Sequence, residues 1–201
     1  MTEDRSEESR RRQPKGDKRD RTRAALLEAA RSLIREKGYE HATLEVIAER
    51  AGMTTGAIYG NFRNRDELLV AAALRYWPAI VPRIRTGASF AELMQAMADA
   101  TIAALPEREA AAVGRLSGLA YTLRHEGLRA QVLDVTRQSY QFGEEWLRAV
   151  IPPEELPMPP EQLVVVLHIL TEGLVIQRLL TPELVPDAVI RAAFAGLAKA
   201  R

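Results

Sequence analysis

Residues 54–61 place small and hydrogen-bonding side chains on a segment long enough for one short helix. Such a face lacks the coat of Lys and Glu that usually makes an exposed helix soluble. In the major groove of DNA, Thr and Ala can contact a thymine methyl group, and Asn can bond adenine. The pattern therefore indicates recognition of another molecule rather than catalysis. The members of this set are Thr54, Thr55, Gly56, Ala57, Tyr59 and Asn61.

These side chains are expected to divide their contacts between base edges and the DNA backbone. The residues expected at base edges are Thr55, Gly56, Ala57 and Asn61. Of these, Gly56 would mainly let the backbone approach the DNA, because it has no side chain. Tyr59, Thr43 and Arg65 are expected to bind phosphates, which position a protein without specifying sequence. The alternatives are that Thr43 and Thr54 only cap helices, and that Tyr59 is an ordinary surface aromatic.

Two short helices joined by a tight turn are predicted to position these residues. Thr43 is a candidate N-cap, and the apolar residues after it recur at the spacing of one buried helical face. Gly52 ends this first helix where a left-handed residue is commonly needed, and Thr54 is the candidate N-cap of the second. Ile58 and Phe62, four residues apart, anchor the second helix inward. The apolar positions of the first helix are Leu44, Ile47, Ala48 and Ala51.

The run over residues 43–68 resembles the amino-terminal domain of TetR-type transcriptional repressors. The agreement is dense over about residues 23–69, and it covers the preceding helix, both short helices and the start of a fourth. The family often has His where this chain has Asn61 and Lys where it has Arg65. It often has Lys, Arg or Pro where this chain has Thr55. The residues that carry the resemblance are Ala51, Gly52, Gly56, Ile58, Tyr59, Phe62 and Arg65 to Leu68.

The resemblance implies an all-α homodimer. Each chain would have an N-terminal three-helix domain with a helix-turn-helix, followed by a larger antiparallel helical domain for ligand binding and dimerisation. Two recognition helices would enter successive major grooves of double-stranded DNA, about 34–36 Å apart on a palindromic operator. A small, mainly apolar effector would release the repressor. The alternative is a DNA-binding structural or partner-docking protein on the same scaffold, without a small-molecule effector.

Composition excludes several other classes of protein. The 201 residues include no cysteine, so disulfides and thiolate metal sites are excluded. The three histidines form no metal-ligand spacing, and no nucleophile or phosphate-loop motif occurs, so no enzyme, cofactor or metal site is predicted. No apolar run approaches the roughly 18 residues that cross a bilayer, and the amino end is too charged for a secretory signal. We therefore expect a cytoplasmic protein with no membrane partner.

Net charge is only +1, but basic side chains are concentrated near the amino end. Residues 10–23 hold 8 basic and 2 acidic side chains, which is +6. The basic side chains of this run could contact the phosphate backbone of DNA. The alternative is that the run is a solvated tail. Residues 1–17 lack apolar periodicity, so we expect them to be disordered off DNA. The predicted division is a basic arm at 1–17, a DNA-binding domain at 18–65 and an effector-binding and dimerisation domain at 66–201.

Periodicity predicts nine helices and no strand. Gly38 should end the helix that precedes the two short helices. Asn64 should cap the helix that follows them, and that helix must kink or end near Pro78 and Pro82. Pro106 is expected to begin a separate sixth helix, because a missing N–H costs nothing at that position. Besides the two short helices and the fourth, the predicted helices cover about 19–37, 89–105, 106–125, 126–150, 161–180 and 186–200.

The eighth helix, residues 161–180, is apolar on nearly every side and must be covered on nearly every side. Only one helix follows it. A four-helix bundle made by the last two helices of two chains would complete its burial, and the resemblance implies the same contact. The alternative is a central helix in a monomeric core. The residues expected at this interface are Leu167, Thr171, Gly173, Leu174, Val175 and Arg178.

Aromatic and Met side chains of the carboxyl-terminal domain could line an effector pocket, because they form adaptable apolar walls. Plain core packing is the alternative for each of them. His168 and Glu172 lie one helical turn apart and could orient a polar ligand group, hold a dimer contact or satisfy each other. The expected pocket residues are Trp77, Met94, Met97, Tyr121, Tyr140, Phe142, Trp146 and His168.

Overall fold

The structure, a computed structural model, describes residues 15–199. These residues form eight α-helices, two short 3-10 helices and no strand, so the predicted all-α class is confirmed. The α-helices are α1 (Lys15–Lys37), α2 (Leu44–Arg50), α3 (Thr55–Tyr59), α4 (Arg65–Tyr76), α5 (Phe90–Arg124), α6 (Glu126–Val150), α7 (Pro160–Leu180) and α8 (Asp187–Lys199), and the 3-10 helices are Tyr39–His41 and Pro153–Glu155. Most of the expected disordered arm, residues 1–14, lies outside the described residues, whereas residues 15–17 belong to α1.

The chain divides into two compact units, Met1–Ala72 and Ala73–Arg201. The division falls inside α4. The first unit contains α1, α2, α3 and the beginning of α4, and the second contains the end of α4 together with α5 to α8.

The amino-terminal unit is built on α1, which packs against both α2 and α3. The inward face of α1 consists of the buried residues Leu26, Ala30, Leu33 and Ile34, which recur at helical spacing. Ile58 of α3 and Phe62 just after it are also buried, as predicted. Burying an apolar side chain of this size contributes roughly 1.5–3 kcal/mol. The inner side of α3 is therefore fixed although the helix is short.

A Schellman motif around Gly52 closes the turn between α2 and α3. Gly52 has a φ of 65°. Its N–H donates to Glu49 O at 3.0 Å, and the Met53 N–H donates to Ala48 O at 2.8 Å. These two bonds satisfy carbonyl groups at the end of α2. The predicted role of Gly52 as a helix stop is confirmed.

Gly52→Ala is expected to lower the free energy of unfolding of the amino-terminal unit by about 1–2 kcal/mol, because a left-handed backbone costs an L-residue roughly that amount. Urea unfolding followed by circular dichroism measures the change. Gly60→Ala is the matched control, since Gly60 has a φ of −70° and its added Cβ would lie 3.5 Å from Gly56 O, an ordinary contact. Equal stability of Gly52→Ala and the parent protein would contradict the assignment.

The predicted limits of α4 are also confirmed. The Glu67 N–H donates to Asn64 Oδ1 at 2.8 Å, which satisfies a free amide of the first turn. The helix ends at Tyr76, before Pro78 and Pro82. Proline lacks the N–H that a continuing helix needs, so the segment up to α5 runs without helix.

The predicted helix break at Pro106 is wrong. Helix α5 runs without interruption from Phe90 to Arg124, with Pro106 inside it. Proline in a helix interior costs roughly 3 kcal/mol. Strong helix formers stand on both sides, Ala-Ala-Leu before the proline and Glu-Arg-Glu after it. The helix also packs against α6, α7 and α8, and this packing outweighs the lost hydrogen bond.

The carboxyl-terminal unit has one main core, to which α5 contributes the largest share. Helix α5 packs against α6, α7 and α8, and α6 packs against α7. The buried core residues are Ala88, Phe90, Leu93, Met94, Met97, Ala98, Leu147, Ile151, Leu163, Leu167, Ile190 and Phe194. The first half of α5 therefore supplies a buried apolar face to this core.

Helix α7 is long and apolar enough, by length and composition, to cross a bilayer. The sequence criterion of an uninterrupted apolar run missed it, because His168 and Glu172 interrupt the run while the average stays apolar. Only 22% of its most apolar stretch is buried inside the chain. Much of the surface of α7 therefore needs a cover that the described chain does not supply.

Candidate nucleic-acid interface

The outward side of α3 carries short polar side chains and no charge. Its residues are Thr54, Gly56 and Tyr59, which are exposed, and Thr55 and Ala57, which are half-buried. Tyr59 is 63% exposed, whereas Ile58 on the opposite side is fully buried. Neither the first nor the last turn of α3 holds an acidic or basic residue. Such a face can approach base edges closely, because no ion has to lose its water. We call these five residues the reading face.

The two candidate N-caps differ in what their hydroxyl groups do. Thr43 Oγ1 accepts a hydrogen bond from the Val46 N–H at 3.4 Å, so the predicted cap of α2 is confirmed. Thr54 stands at the N-cap position of α3, but its side chain makes no capping hydrogen bond. Thr43 therefore caps α2, and its phosphate contact stays a prediction, whereas the exposed Thr54 hydroxyl is better placed for an outside partner.

Two arginines of α1 hold the carboxyl end of α3. Arg23 Nη1 donates to Asn61 O at 2.9 Å, and the guanidinium carbon lies 4.2 Å from the centroid of the Phe62 ring. Arg19 Nη2 donates to Gly60 O at 3.5 Å. From the sequence, both arginines counted only as part of the basic run. The signal that could have found them is their i, i+4 spacing, which places them on one face of α1.

Asn61 lies beyond the last residue of α3 and is turned back onto the helix. Its Nδ2 donates to Ala57 O at 2.8 Å, and its buried Oδ1 has no hydrogen-bond partner among the described residues. A bidentate contact to adenine requires both amide atoms to face the base. In this conformation Asn61 stabilises the end of α3. The base contact stays a prediction, and it would require rotation of the side chain.

The geometry of Arg65 favours a structural role over the predicted phosphate contact. Its Nε donates to Ala42 O at 2.8 Å, and its Nη2 donates to Tyr39 O. Both carbonyl groups belong to the segment between α1 and α2. Charge-assisted bonds of this kind are stronger than neutral ones. We propose that Arg65 fixes the start of α4 to the segment that precedes α2.

Arg65→Met is therefore expected to lower the free energy of unfolding by about 1–3 kcal/mol, because Ala42 O loses a charged donor. The salt dependence of DNA binding by the folded fraction should stay unchanged. Arg63→Met is the matched control, since Arg63 is 85% exposed and, among residues 15–199, forms a surface ion pair with Glu67. Unchanged stability of Arg65→Met, with a salt slope reduced by about one unit, would instead support the phosphate contact.

Helices α1 and α2 are joined by a bidentate ion pair. Arg50 Nη1 and Nη2 donate to Glu36 Oε1 and Oε2 at 2.9 and 2.8 Å. The hydrogen bonds from Arg50, and next from Ser32, lower the pKa of Glu36 to about 2. The pair is partly exposed, so its main effect is on geometry rather than stability. It helps to set the angle of α2, on which α3 packs.

In the carboxyl-terminal unit, the predicted dimer residues fall on two sides of α7. Leu167, Thr171 and Val175 are buried within their own chain, so the assignment of their side chains to a subunit interface is corrected. Leu174 packs against the same core. Arg178 pairs with Asp187 Oδ1 at 3.0 Å and so holds the start of α8. The sequence could not separate the sides because α7 is apolar on both.

The opposite side of α7 is apolar and exposed. Ile169 is 65% exposed, Leu180 is exposed, and Ile176 is half-buried. Gly173 lies on the same side, and an added Cβ there would meet no atom within 4 Å. Of the predicted interface residues, Gly173 is therefore the one that remains on an open surface. We call Ile169, Gly173, Ile176 and Leu180 the outer stripe of α7.

The predicted pocket residues do not form one group. Met94 and Met97 are buried in the core, and Trp146 packs against that core, which is the plain packing alternative. Phe142 is 63% exposed. Trp77 is buried and donates from Nε1 to Glu172. Core packing therefore accounts for Met94, Met97 and Trp146, which are three of the eight predicted pocket residues. Trp77 instead makes a polar contact.

Two pairs of ring side chains account for the remaining pocket residues. Tyr121 stacks on His125 with ring centroids 3.7 Å apart. Tyr140 OH and His168 Nδ1 are 2.7 Å apart and share a hydrogen bond. Glu172 is bonded elsewhere, so the alternative that His168 and Glu172 satisfy each other is wrong.

Comparison with known proteins supports a helix-turn-helix DNA-binding domain in the amino-terminal unit. A family model described as bacterial regulatory proteins, tetR family, matches residues 26–72. The HTH-type transcriptional regulator TtgR of Pseudomonas putida is 48% identical over 50 residues, which is 25% of this chain and 24% of that protein. The chain thus spans about a quarter of the length of this curated relative.

Solved structures match nearly the whole chain. NalD, the secondary repressor of the MexAB-OprM multidrug efflux pump in Pseudomonas aeruginosa, has a TM-score of 0.56 at 24% identity, over 90% of this chain and 96% of that one. A SmeT–triclosan complex has a TM-score of 0.55 at 21% identity, over 89% and 90%. At these identities the likeness shows the fold.

Fold and site together define a helix-turn-helix protein with a larger helical domain after the helix-turn-helix unit. Residues 26–72 of this chain match the DNA-binding domain of the tetR family of bacterial regulatory proteins.

Proposed function

We propose that the protein is a sequence-specific DNA-binding transcriptional regulator. The observation that carries this proposal is the geometry of α3. Its inner side is fixed by Ile58 and Phe62, its end is held by Arg23, and its outer side is exposed and uncharged. A recognition helix needs this combination, because base edges are read through short hydrogen bonds from a rigid element.

The regulator acts as a homodimer paired through the outer stripe of α7. The stripe supports this proposal because a contiguous exposed apolar surface on a soluble protein usually marks an interaction site. Most soluble oligomers are twofold symmetric. A twofold pair presents two copies of α3 to successive major grooves, about 34–36 Å apart on a palindromic operator. Pairing also covers the apolar surface of α7, which fits a cytoplasmic protein.

Regulation is repression that a small effector relieves. NalD is a repressor, and SmeT has been solved with triclosan, and both share this fold. The effector would bind in the carboxyl-terminal unit. By linkage, it can release DNA only if it binds more tightly to the conformation that does not fit the operator.

Genomic fragments bound by the purified full chain test the proposal. We expect a small set of fragments that share an inverted repeat. Gly56→Glu protein, which carries a carboxylate on the reading face, serves as the control and should recover none of them. Random fragments, or the same fragments with both proteins, would refute sequence-specific reading by α3.

A further inference from the structure

A charged cluster surrounds Trp77 inside the carboxyl-terminal unit. Trp77 Nε1 donates to Glu172 Oε1 at 2.6 Å, and Arg115 Nη2 donates to Glu172 Oε2 at 3.1 Å. The guanidinium carbons of Arg108 and Arg115 lie 4.6 and 5.5 Å from the centroid of the Trp77 ring. We call Trp77, Arg108, Arg115 and Glu172 the Trp77 cluster. Its members come from the segment after α4, from α5 and from α7.

The Trp77 cluster holds more positive than negative charge. Arg108 is only 4% exposed, and within the described chain it donates to Pro78 O and lies over the Trp77 ring rather than bonding a carboxylate. Burial lowers the pKa of Arg108, although Glu172 and Glu107 act in the opposite direction. Within the cluster itself, two guanidinium groups therefore face one carboxylate, while Glu107 acts on Arg108 from an exposed position. An incompletely compensated buried charge is costly, so a further anion would be bound favourably.

Two buried polar atoms on the same helices lack hydrogen-bond partners among the described residues. They are Arg115 Nε in the cluster and Thr171 Oγ1, one residue before Glu172 on α7. Leaving a buried donor without a partner is unfavourable, and such groups in folded proteins call for an explanation. Burial, and next the charge of Glu172, raises the pKa of the nearby Tyr140, whose hydroxyl shares a hydrogen bond with His168. Within the cluster, Arg115 Nε is therefore a buried donor that has no acceptor among the described residues.

We infer that the Trp77 cluster binds an organic carboxylate, an effector with one acidic group on an apolar body. The inference rests on the proposed function, because it assigns the chemistry of the effector. The carboxylate would accept a hydrogen bond from Arg115 Nε and supply the second negative charge beside Arg108. A planar carboxylate matches the planar donor edge of arginine. The half-buried Tyr140 ring offers a flat apolar surface to the rest of the molecule.

Binding would change the contacts of the residues directly after α4. Trp77 and Pro78 are the first two residues beyond Tyr76, the end of α4, and both are bonded into the cluster. A bound carboxylate competes with Glu172 for Arg115 and so loosens the hydrogen bond between Glu172 and Trp77. The indole ring of Trp77 therefore reports on occupancy.

Tryptophan fluorescence tests this inference. The chain has two tryptophans, so Trp146→Phe leaves Trp77 as the reporter. Benzoate and hexanoate are the probes, and benzamide and hexanamide are their uncharged counterparts. We expect saturable changes in Trp77 emission with the carboxylates and none with the amides. Absence of any change with both carboxylates, or equal changes with the amides, would overturn the inference.

Three variants make the test specific. Arg115→Met should weaken carboxylate binding about tenfold or more, through loss of a charged donor. Glu172→Gln should strengthen it, because the competing carboxylate is removed. Arg137→Met, on the exposed side of α6, is the control and should bind as the parent does. Weaker binding by Glu172→Gln would overturn the inference, since it would show Glu172 acting only as a structural partner.

Folding and DNA binding are measured on the same samples. If Arg115→Met fails to unfold cooperatively, Arg115→Lys keeps the charge while losing the Nε–H, and it should still weaken binding. A protein that binds its DNA fragments but neither carboxylate contradicts this inference and leaves the proposed function standing. A protein that binds the carboxylates but no DNA contradicts the proposed function and leaves the carboxylate site standing.

Discussion

Gly56→Glu is expected to weaken DNA binding roughly 100-fold or more, because a like-charge contact at an interface costs several kcal/mol. Gly56 is exposed on the reading face, between Thr55 and Ala57. A glutamate there would point a carboxylate at the phosphates and bases of the groove that α3 enters. Fluorescence anisotropy with a labelled operator fragment measures the loss, and urea unfolding checks that the fold is kept.

Gly56→Ala separates the effect of charge from the effect of size. An added Cβ would lie 3.5 Å from Thr54 Oγ1, an ordinary van der Waals contact, so the fold should accept it. We expect Gly56→Ala to be as stable as the parent protein and to bind DNA much more tightly than Gly56→Glu. Parent-like affinity of a folded Gly56→Glu protein would mean that α3 does not face DNA.

Ile169→Glu is expected to raise the dimer dissociation constant about 100-fold or more, because it places an unpaired charge in an apolar interface. Ile169 is 65% exposed in the single chain, so the substitution should leave the fold of each chain intact. Sedimentation velocity at micromolar concentration should show monomers for the variant and dimers for the parent protein.

Val175 lies on the opposite side of α7 from Ile169 and is the contrasting position. Val175 is buried within its own chain, so Val175→Glu should unfold the carboxyl-terminal unit rather than split a folded dimer. Gln141→Glu, on the exposed polar side of α6, is the control and should keep the dimer. Dimers of Ile169→Glu that sediment like the parent would remove the outer stripe from the interface.

Local signals made the amino-terminal unit predictable from its sequence. The Thr43 cap, the Gly52 stop and the Asn64 cap each act within a few residues. The local sequence therefore determines where these helices begin and end. The buried positions of α1 follow from helical periodicity in the same way. The helices and the reading face could therefore be placed without any knowledge of tertiary contacts.

Roles that depend on distant parts of the chain were not predictable. Arg65 donates to carbonyl groups that lie 23 and 26 residues earlier, and these acceptors are backbone atoms without a sequence signature. The bond between Trp77 and Glu172 joins residues 95 apart. Sequence spacing alone cannot show such pairs, so the sequence predicted a phosphate contact for Arg65 and a pocket wall for Trp77.

In helices α5 and α7, packing decides between interpretations that the sequence leaves open. Pro106 marks a helix start by local rules, yet contacts with three neighbouring helices keep α5 continuous. Helix α7 is apolar on both sides, and its position against α5 and α6 decides that Val175 faces the core while Ile169 faces outward.

Methylation protection of the bound operator tests the central claim, that α3 enters the major groove once in each of two paired subunits. Dimethyl sulfate methylates guanine N7 in the major groove, an acceptor that a recognition helix covers. We expect two clusters of protected guanines on one face of the duplex, about one helical turn apart. A bound fragment whose guanine N7 positions all react as in free DNA would contradict it.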